Sequence, residues 1–334
     1  MRSRFRSLLV TGGAGFIGSC FIRYGLSKIF GVEKIVNLDA LTYAGNMHNL
    51  ESIQNDTRHV FVQANICDQR TVAQLLKEHQ IEAIVHFAAE SHVDKSILGP
   101  RKFLETNVGG TLALLDLVRL SPQTHFHHVS TDEVYGSLTH QEGSFKETSL
   151  YKPNSPYAAS KAAADHFVRA YANTYKLSTT VSHCSNNYGP YQHPEKFIPR
   201  MIAGCLHKSF LPIYGEGINI RNWLFVEDHV KAIWTILEKG AIGESYAIGG
   251  ECEKTNIDIL YSIIDTFSAL KNEDPTQLKL LIKKVADRPG HDLRYSIDAT
   301  KIKKKLGWMP MYGFESSLRE TIRWYLEYPK RLEC

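Results

Sequence analysis

Tyr157 and Lys161 stand four residues apart, directly after Pro156, inside a helical pattern. That spacing sets both side chains on one helix face. An ammonium beside a phenol favours the phenolate, so Tyr157 is expected to accept a proton from an alcohol near neutral pH. Taken alone, such a pair is more often surface decoration. Thr131, Asp132 and Glu133 supply company in Ser130-Thr131-Asp132-Glu133-Val134-Tyr135-Gly136. The Thr131 hydroxyl can share the oxygen that Tyr157 deprotonates. Oxidising an alcohol needs only the tyrosine. Two adjacent carboxyls are surplus unless a second proton transfer occurs, one donating as an acid and the other accepting as a carboxylate. The bland alternative is that they cap a helix or face water.

A third constellation holds phosphate. Thr11-Gly12-Gly13-Ala14-Gly15-Phe16-Ile17-Gly18 follows a short apolar run and opens a helical pattern. Gly12, Gly15 and Gly18 read GxxGxxG, a close variant of the dinucleotide fingerprint. Bare backbone lets a pyrophosphate approach N–H groups at a helix start. A structural glycine turn is the competing reading of the loop by itself. Asp39 lies 21 residues beyond Gly18, at the end of the next apolar run. An acid there accepts from an adenosine ribose and repels a 2′-phosphate, which favours NAD over NADP.

These residues need a scaffold that brings loop ends together. Strands are expected at Ser7–Thr11, Lys34–Asp39, His59–Asn65, Ala83–Ala88, His125–Thr131 and Thr180–His183. Helices are expected at Phe16–Phe30, Thr71–His79, Gly110–Leu120 and Tyr157–Tyr175. The alternation implies an α/β fold: a Rossmann-type, doubly wound parallel sheet with helices on both faces. Thr131 then falls at the carboxyl end of a strand, where such sheets bind ligands. From Asn186 onward Gly and Pro cluster, and helical patterns return at Asp228–Lys239, Ile257–Leu270 and Phe314–Tyr328. The expected division is a cofactor domain over residues 1–185, joined by 222–250. A smaller, loop-rich α/β substrate lobe takes 186–221 and 251–330.

Composition sets the outer limits. The chain has 334 residues, 43% hydrophobic and 22% charged, as ordinary globular chains do. Lys and Arg number 39 against 35 Asp and Glu, a net charge of +4. That is too mild to argue for nucleic acid or a membrane surface. Lys301–Lys305 reads as a solvated helix face. Six cysteines, at positions 20, 67, 184, 205, 252 and 334, form no CxxC pair and read as free thiols of a reducing cytosol. The apolar stretch Leu8–Val10 is too short for a signal-peptide core, and no apolar run spans a bilayer. A cytoplasmic protein is expected. His125 and His127 share a strand face but lack a third ligand at a suitable spacing, so no metal is expected. His86 and His183 read as buried, hydrogen-bonded strand residues.

The glycine loop, Thr131 and Tyr157/Lys161, in that order, resemble the extended short-chain dehydrogenase/reductase family, which acts on nucleotide sugars. Longer segments resemble its dTDP-glucose 4,6-dehydratase branch: NLDALTYAGN, HFAAESHVDKSI, STDEVYG, SPYAASKAAADH, CSNNYGPYQHPEKFIP, LPIYGEG, RNWLFVEDH and ADRPGHDLRY. The likeness runs from Leu8 to about Tyr328. Three positions depart from the family's usual pattern. Asn65 and Asn222 stand where it has Asp, and Ala40 where it has Lys.

The resemblance implies Tyr157 as base for oxidation at C4, Glu133 as base at C5 and Asp132 as acid at C6. Thr131 and Lys161 would support substrate oxygen and cofactor. It implies an NAD site with Gly12, Gly15, Phe16, Ile17 and Gly18 in the loop, and Asp39, Leu41, Thr42 and Gly45 beyond the second strand. Asn65, Ile66, Phe87, Ala88, Ala89, Ser91, Thr106, Tyr157 and Lys161 would complete it. For the substrate, it implies Asn186 and Lys196 at the diphosphate, and Pro212 and Tyr214 beside the base. Arg221, Asn256, Arg288 and His291 would hold phosphate or nucleoside groups, with Ser91 and Thr131 completing the set. Arg suits a diphosphate through its forked geometry, although Arg221 and Arg288 could each be an ordinary ion pair.

The implied reaction removes water from dTDP-glucose to give dTDP-4-keto-6-deoxyglucose, a step toward deoxysugars such as rhamnose, with NAD regenerated. The implied assembly is a homodimer through the Gly110–Leu120 and Tyr157–Tyr175 helices. A 4-epimerase on the same fold shares the loop and the Tyr/Lys pair but has no use for Asp132-Glu133. The same chemistry on UDP-glucose and a silent dinucleotide-binding regulator also compete with this reading.

Overall fold

Leu8, Leu9 and Val10 are wholly buried, as are Ile35, Val36 and Leu38. Strands apolar on both faces can only sit in a sheet covered on both sides. The computed structural model describes residues 1–333, and Cys334 lies outside the described residues. In it the strands are β1 (Ser7–Thr11), β2 (Lys34–Asp39), β3 (His59–Gln63), β4 (Ala83–His86), β5 (His125–Thr131) and β6 (Thr179–Cys184). β7 (Asn186–Tyr188), β8 (Leu211–Tyr214), β9 (Ile220–Phe225), β10 (Ser245–Ile248), β11 (Glu253–Thr255) and β12 (Ile282–Val285) follow. Seven strands form the main sheet in the order β10-β6-β5-β4-β1-β2-β3. Every pairing in it is parallel. The strand order reverses at β1, which lies between β4 and β2, so a crevice opens at their carboxyl ends.

The first-half elements fall where the sequence puts them, with informative trims. β3 and β4 stop at Gln63 and His86, short of the expected Asn65 and Ala88. Beyond His86 the Phe87 N–H still donates to Thr11 O, at 3.1 Å, but the Ala88 N–H turns to the Thr11 hydroxyl, at 3.3 Å. The backbone leaves the ladder there to line the crevice. The helix expected from Gly110 is preceded by a π-helical stretch, Leu104–Gly110, before Thr111–Leu120. π-turns inside helices gather at functional sites. Here the Asn107 side chain bridges the Glu90 backbone, accepting from its N–H at 2.8 Å and donating to its carbonyl at 3.0 Å.

The second half forms smaller sheets. β9 pairs in parallel with β7 and antiparallel with β11, while β8 pairs in parallel with β12. Helices Phe197–Leu206, Asn256–Lys271 and Phe314–Glu327 enclose a second core, with Ile198, Ile202, Ile263, Leu318 and Ile322 buried in it. Pro194 and Pro199 mask the first of these helices in the sequence. Pro199 sits in its opening turn, where a missing N–H costs nothing. Lys301–Lys305 does lie on a helix, Thr300–Leu306, and Lys301 pairs with Glu244 at 2.6 Å. Among the described residues the five cysteines are free. No helix there is long and apolar enough to cross a membrane.

The helix Val226–Lys239 returns from the second half to pack on Phe16–Lys28, beneath the glycine loop. Phe21 and Trp234 stack with ring centroids 4.4 Å apart and 2° between planes. Gly25 makes that approach possible, since a Cβ there would lie 2.4 Å from Trp234 Cζ2. Trp234→Ala is expected to cost about 3–5 kcal/mol. Urea melts followed by circular dichroism should show the midpoint fall with the slope unchanged.

Candidate active site

The cradle at the end of β1 is tight. Gly12 has φ of +70°, and a Cβ on it would lie 2.7 Å from Ala88 N. A Cβ on Gly18 would lie 2.3 Å from the Gly12 carbonyl. Only glycine lets this loop close against β4 and open the Phe16–Lys28 helix. Asp39 ends β2 at the same rim. Its carboxylate accepts from the Ala14 N–H at 2.9 Å and the Leu41 N–H at 2.8 Å. Burial pushes its pKa up, and those two bonds oppose the rise.

One cleft gathers most of the expected residues. Gly12, Gly15, Phe16, Ile17, Gly18 and Asp39 line it, as do Thr42, Gly45, Asn65, Ile66 and Thr106. Phe87, Ala88, Ala89 and Ser91 lie on the β4 side. Thr131, Asp132, Glu133, Tyr157, Lys161, Asn186 and Lys196 line the same space. Leu41 does not; its backbone orients Asp39. Asn65 accepts from the Cys67 N–H at 2.9 Å, so the amide serves its own turn. The bare glycines, the rim carboxylate and the dry strand ends fit a dinucleotide such as NAD.

The acid pair opens a 3₁₀ turn, Asp132–Tyr135, capped by Thr131, whose hydroxyl accepts from the Glu133 N–H at 3.3 Å. Capping is therefore real, but it is done by the threonine, which leaves both carboxyls free for the cleft. Asp132 is 1% exposed and its Oδ2 has no partner. Burial pushes its pKa well above the carboxylate range, and the neighbouring Glu133 charge pushes it further. Glu133 is raised too, first by burial. Arg288, Arg221 and Lys196 oppose that rise. Asp132 is thus disposed to hold a proton and Glu133 to accept one. They titrate as a coupled pair.

The expected effect of Lys161 on Tyr157 is corrected. Burial raises the phenol well above its ordinary pKa, and Glu133, Cys184 and Asp132 add to the rise. The Thr131 hydroxyl pulls the other way. Lys161 Nζ donates to the Val129 carbonyl at 2.8 Å and lies 3.4 Å from His128 Nε2. Its ammonium turns to the strand rather than to the phenol. The helix face is as the spacing implied; the side chain's last torsions are not legible in it.

The second-half residues divide. Lys196 donates to the Ser91 carbonyl at 2.9 Å and reaches the cleft with Asn186. Pro212, Tyr214, Arg221, Asn256, Arg288 and His291 do not line that cleft. Tyr214 donates to Asp94 at 3.2 Å, and Arg288 lies 3.5 Å from the same carboxylate. The His291 ring meets Tyr214 edge-on at 6.0 Å and Asp287 at 2.6 Å. Pro212 sits on β8, and Asn256 opens its helix. Arg221 is buried. It donates to the Ile220 carbonyl at 2.8 Å and the Asp292 carbonyl at 2.9 Å, and covers the Tyr295 ring at 4.3 Å.

Several residues in the cleft (Glu195, Cys184) or beside it (Asp94, Asn107) escaped the sequence. Glu195 lies within 4 Å of His92, Lys95, His193 and Lys196. It sits beside the foreseen Lys196, and that adjacency was its only signal. Asp94, Asn107 and Cys184 gave none, because their partners are distant in sequence. His86 is buried between the Thr11 and Thr111 hydroxyls, at 2.7 and 3.1 Å, as its strand position implied. His125 and His127 both reach the Thr180 hydroxyl, at 2.9 Å each.

A glycine cradle, the buried Tyr157 and a buried acid pair in one cleft make the class plain. This is an extended short-chain dehydrogenase/reductase. Comparison with known proteins narrows it. The GDP-mannose 4,6 dehydratase family model matches residues 9–321. The dTDP-glucose 4,6-dehydratase of Xanthomonas campestris pv. campestris (strain B100) is 52% identical, covering 95% of this chain and 92% of its own. That of Shigella flexneri is 47% identical, covering 96% and 92%. The crystal structure of DesIV, the dTDP-glucose 4,6-dehydratase of Streptomyces venezuelae with NAD bound, superimposes with a TM-score of 0.92 at 46% identity, covering 98% and 99%. A UDP-glucose 4-epimerase from Thermotoga maritima gives 0.86 at 27% identity, covering 97% and 99%. The chain belongs to the dTDP-glucose 4,6-dehydratase family.

The buried Asp132 carries a stability signature. Below about pH 4 the folded and unfolded chains both protonate it. As pH rises, the unfolded chain loses that proton while the folded one keeps it, so stability falls. Asp132→Asn lacks this loss. Its melting temperature should exceed that of the parent by a margin that widens from pH 4 to pH 8 in thermal melts. An equal margin at both would contradict a protonated Asp132.

Proposed function

We propose that this protein dehydrates dTDP-glucose to dTDP-4-keto-6-deoxyglucose. The observation that carries the reading is the contrast within the acid pair. Asp132 has an unpartnered oxygen and no donor but Thr131, while Glu133 is opposed by three cations. An epimerase has no use for that contrast.

NAD held by the glycine loop and Asp39 would supply the oxidation at C4 and the matching reduction at C6. The residues of this chain do the rest. Tyr157, whose phenolate the cationic nicotinamide of bound NAD would favour against its burial, would accept the C4 hydroxyl proton while Thr131 shares that oxygen. The new ketone acidifies the C5 proton, which Glu133 removes. Asp132 protonates the C6 hydroxyl, which departs as water. A proton returns to C5 from the Glu133 side. The proton gained by Tyr157 and the one given by Asp132 equalise through solvent, so the net change is loss of water. Lys161 and Asp39 would hold the two riboses of the cofactor, with the glycine loop at its pyrophosphate.

Lys196 and Asn186 suit the substrate diphosphate, and Arg288 suits it as a forked donor once released from Asp94. Residues 1–185 with 222–250 would hold the cofactor, and 186–221 with 251–330 the nucleotide. Tyr214 and Pro212 would flank the base. One methyl separates the dTDP and UDP sugars, worth about 1–3 kcal/mol, so UDP-glucose should be turned over about 10–200-fold less efficiently. Assembly as a homodimer would use the Pro156–Tyr175 and Thr111–Leu120 helices, which expose Phe167, Tyr175 and Leu120. The cytoplasm is the compartment that suits free thiols and a nucleotide-sugar substrate.

The test is incubation with dTDP-glucose in D₂O, with the product read by NMR. A 4-keto-6-deoxy sugar carrying deuterium at C5, with no net NADH, is expected. A galactose-configured product without deuterium would overturn the reading. Tyr157→Phe should abolish C4 oxidation. Glu133→Gln should still reduce NAD in a single turnover but slow elimination by about 10²–10⁴-fold; full turnover would remove Glu133 as the C5 base.

A further inference from the structure

Behind Lys161 lies a sealed polar cluster that the reaction above does not use. Asp165 sits one helical turn beyond Lys161 on the Pro156–Tyr175 helix and is 4% exposed. Its Oδ2 accepts from the Ser130 hydroxyl at 2.9 Å, the Tyr151 hydroxyl at 3.0 Å and His183 Nε2 at 3.0 Å. Its Oδ1 lies 3.2 Å from His128 Nε2, the same nitrogen that lies 3.4 Å from the Lys161 ammonium. The imidazole therefore stands between a buried cation and a buried anion.

We propose that Asp165 is a positioning residue for Lys161: fixed by Ser130, Tyr151 and His183, its carboxylate is the buried counter-charge that holds the ammonium, across His128, against the Val129 carbonyl at the cofactor end of the cleft. Its rate readout rests on the dehydratase reading; its stability readout does not. Burial lowers the pKa of Lys161, and the Asp165 charge is the largest influence raising it again, followed by Cys184. Burial alone would raise the Asp165 pKa, but the bonds from His128 and His183 drive it far down, so the anion persists. Burial holds His128 down at about 4, a neutral ring with one proton to give. The groups facing the cluster are His86 from β4, whose ring lies 5.3 Å from that of His128, His128 and Ser130 from β5, His183 and Cys184 from β6, Tyr151 with the His166 ring 5.0 Å from its own, and Tyr135, whose ring lies 5.2 Å from that of His183. The helix itself adds Lys161, and Arg169 acts on Tyr151. Lys161 and the more distant Arg169 are the cations among them.

Without the anion, the buried ammonium loses its proton more readily. In Asp165→Asn, kcat should fall about tenfold or more at pH 8 with KM for dTDP-glucose within about twofold. The alkaline limb of the kcat profile should move down by about one pH unit or more. A merely structural role would lower the melting temperature but leave that limb in place, which would overturn the proposal. The double-mutant cycle with Lys161→Met keeps it testable without turnover. Asp165→Asn strands a buried cation, and Lys161→Met removes it. The double variant should therefore melt above Asp165→Asn alone, even if the single variant scarcely folds. Additive losses of stability, or a double variant as unfolded as the single, would overturn it. A parent enzyme inactive on dTDP-glucose with a non-additive stability cycle would fault the assigned reaction and leave Asp165 in place.

Discussion

Asp132 and Glu133 are adjacent carboxyls at one strand end; burial raises the cost of ionising both, and the Glu133 charge adds to the cost at Asp132. Buried together without help, both would hold protons and neither would act as a base. The rest of the cleft is arranged around that difficulty. Arg221 is carried on β9 and Arg288 on the loop after β12, so the charges that favour an ionised Glu133 come from the second half of the chain. The acids themselves come from the first half. Without those cations nothing would oppose the effect of burial on Glu133.

The main sheet makes the pair's position possible. Parallel strands place all their carboxyl ends on one rim, and the reversal at β1 opens that rim into a crevice. Thr11 links the rim together. Its backbone pairs with β2 and β4, and its hydroxyl meets both His86 and the Ala88 N–H. Asn107 performs a similar task on the neighbouring side, joining the Glu90 backbone to the Ser160 hydroxyl at 2.9 Å. Both are short polar side chains in dry surroundings with every polar atom engaged. Such contacts cost little when satisfied and a great deal when broken, so they hold the crevice in one shape.

How much of this was legible in the sequence follows from the range of each interaction. β1, β2 and β5 were read to the residue, because continuous apolar runs between turn signals have one reading. Gly12, Gly18 and Asp39 were legible because a phosphate loop and its acid are local in sequence. The acid pair was legible by its redundancy beside Tyr157. The direction of the Lys161 ammonium was not, since it is set by Val129 and His128, more than thirty residues earlier. Arg221 is expected from the resemblance to hold a phosphate or nucleoside group. Its guanidinium lies against backbone carbonyls and Tyr295, contacts that only the fold creates. β7, β8 and β9 were missed because three- to six-residue strands among Gly and Pro carry too little periodicity to be seen.

Four acidic groups share this interior: Asp132, Glu133, Tyr157 and Asp165. Desolvation acts on all of them in the same direction, toward the neutral form. What separates them is the supply of donors and cations. Asp165 receives three hydrogen bonds on one oxygen and faces an imidazole with the other, and it stays an anion. Glu133 receives only the fields of distant cations and sits between the extremes. Asp132 receives a single long bond from Thr131 and the field of Arg221, and Tyr157 no ammonium at all; desolvation prevails at both. Protonation state in this cleft is therefore written in the count of partners rather than in depth of burial. Removing Arg288 would shift the balance at Glu133 without touching it.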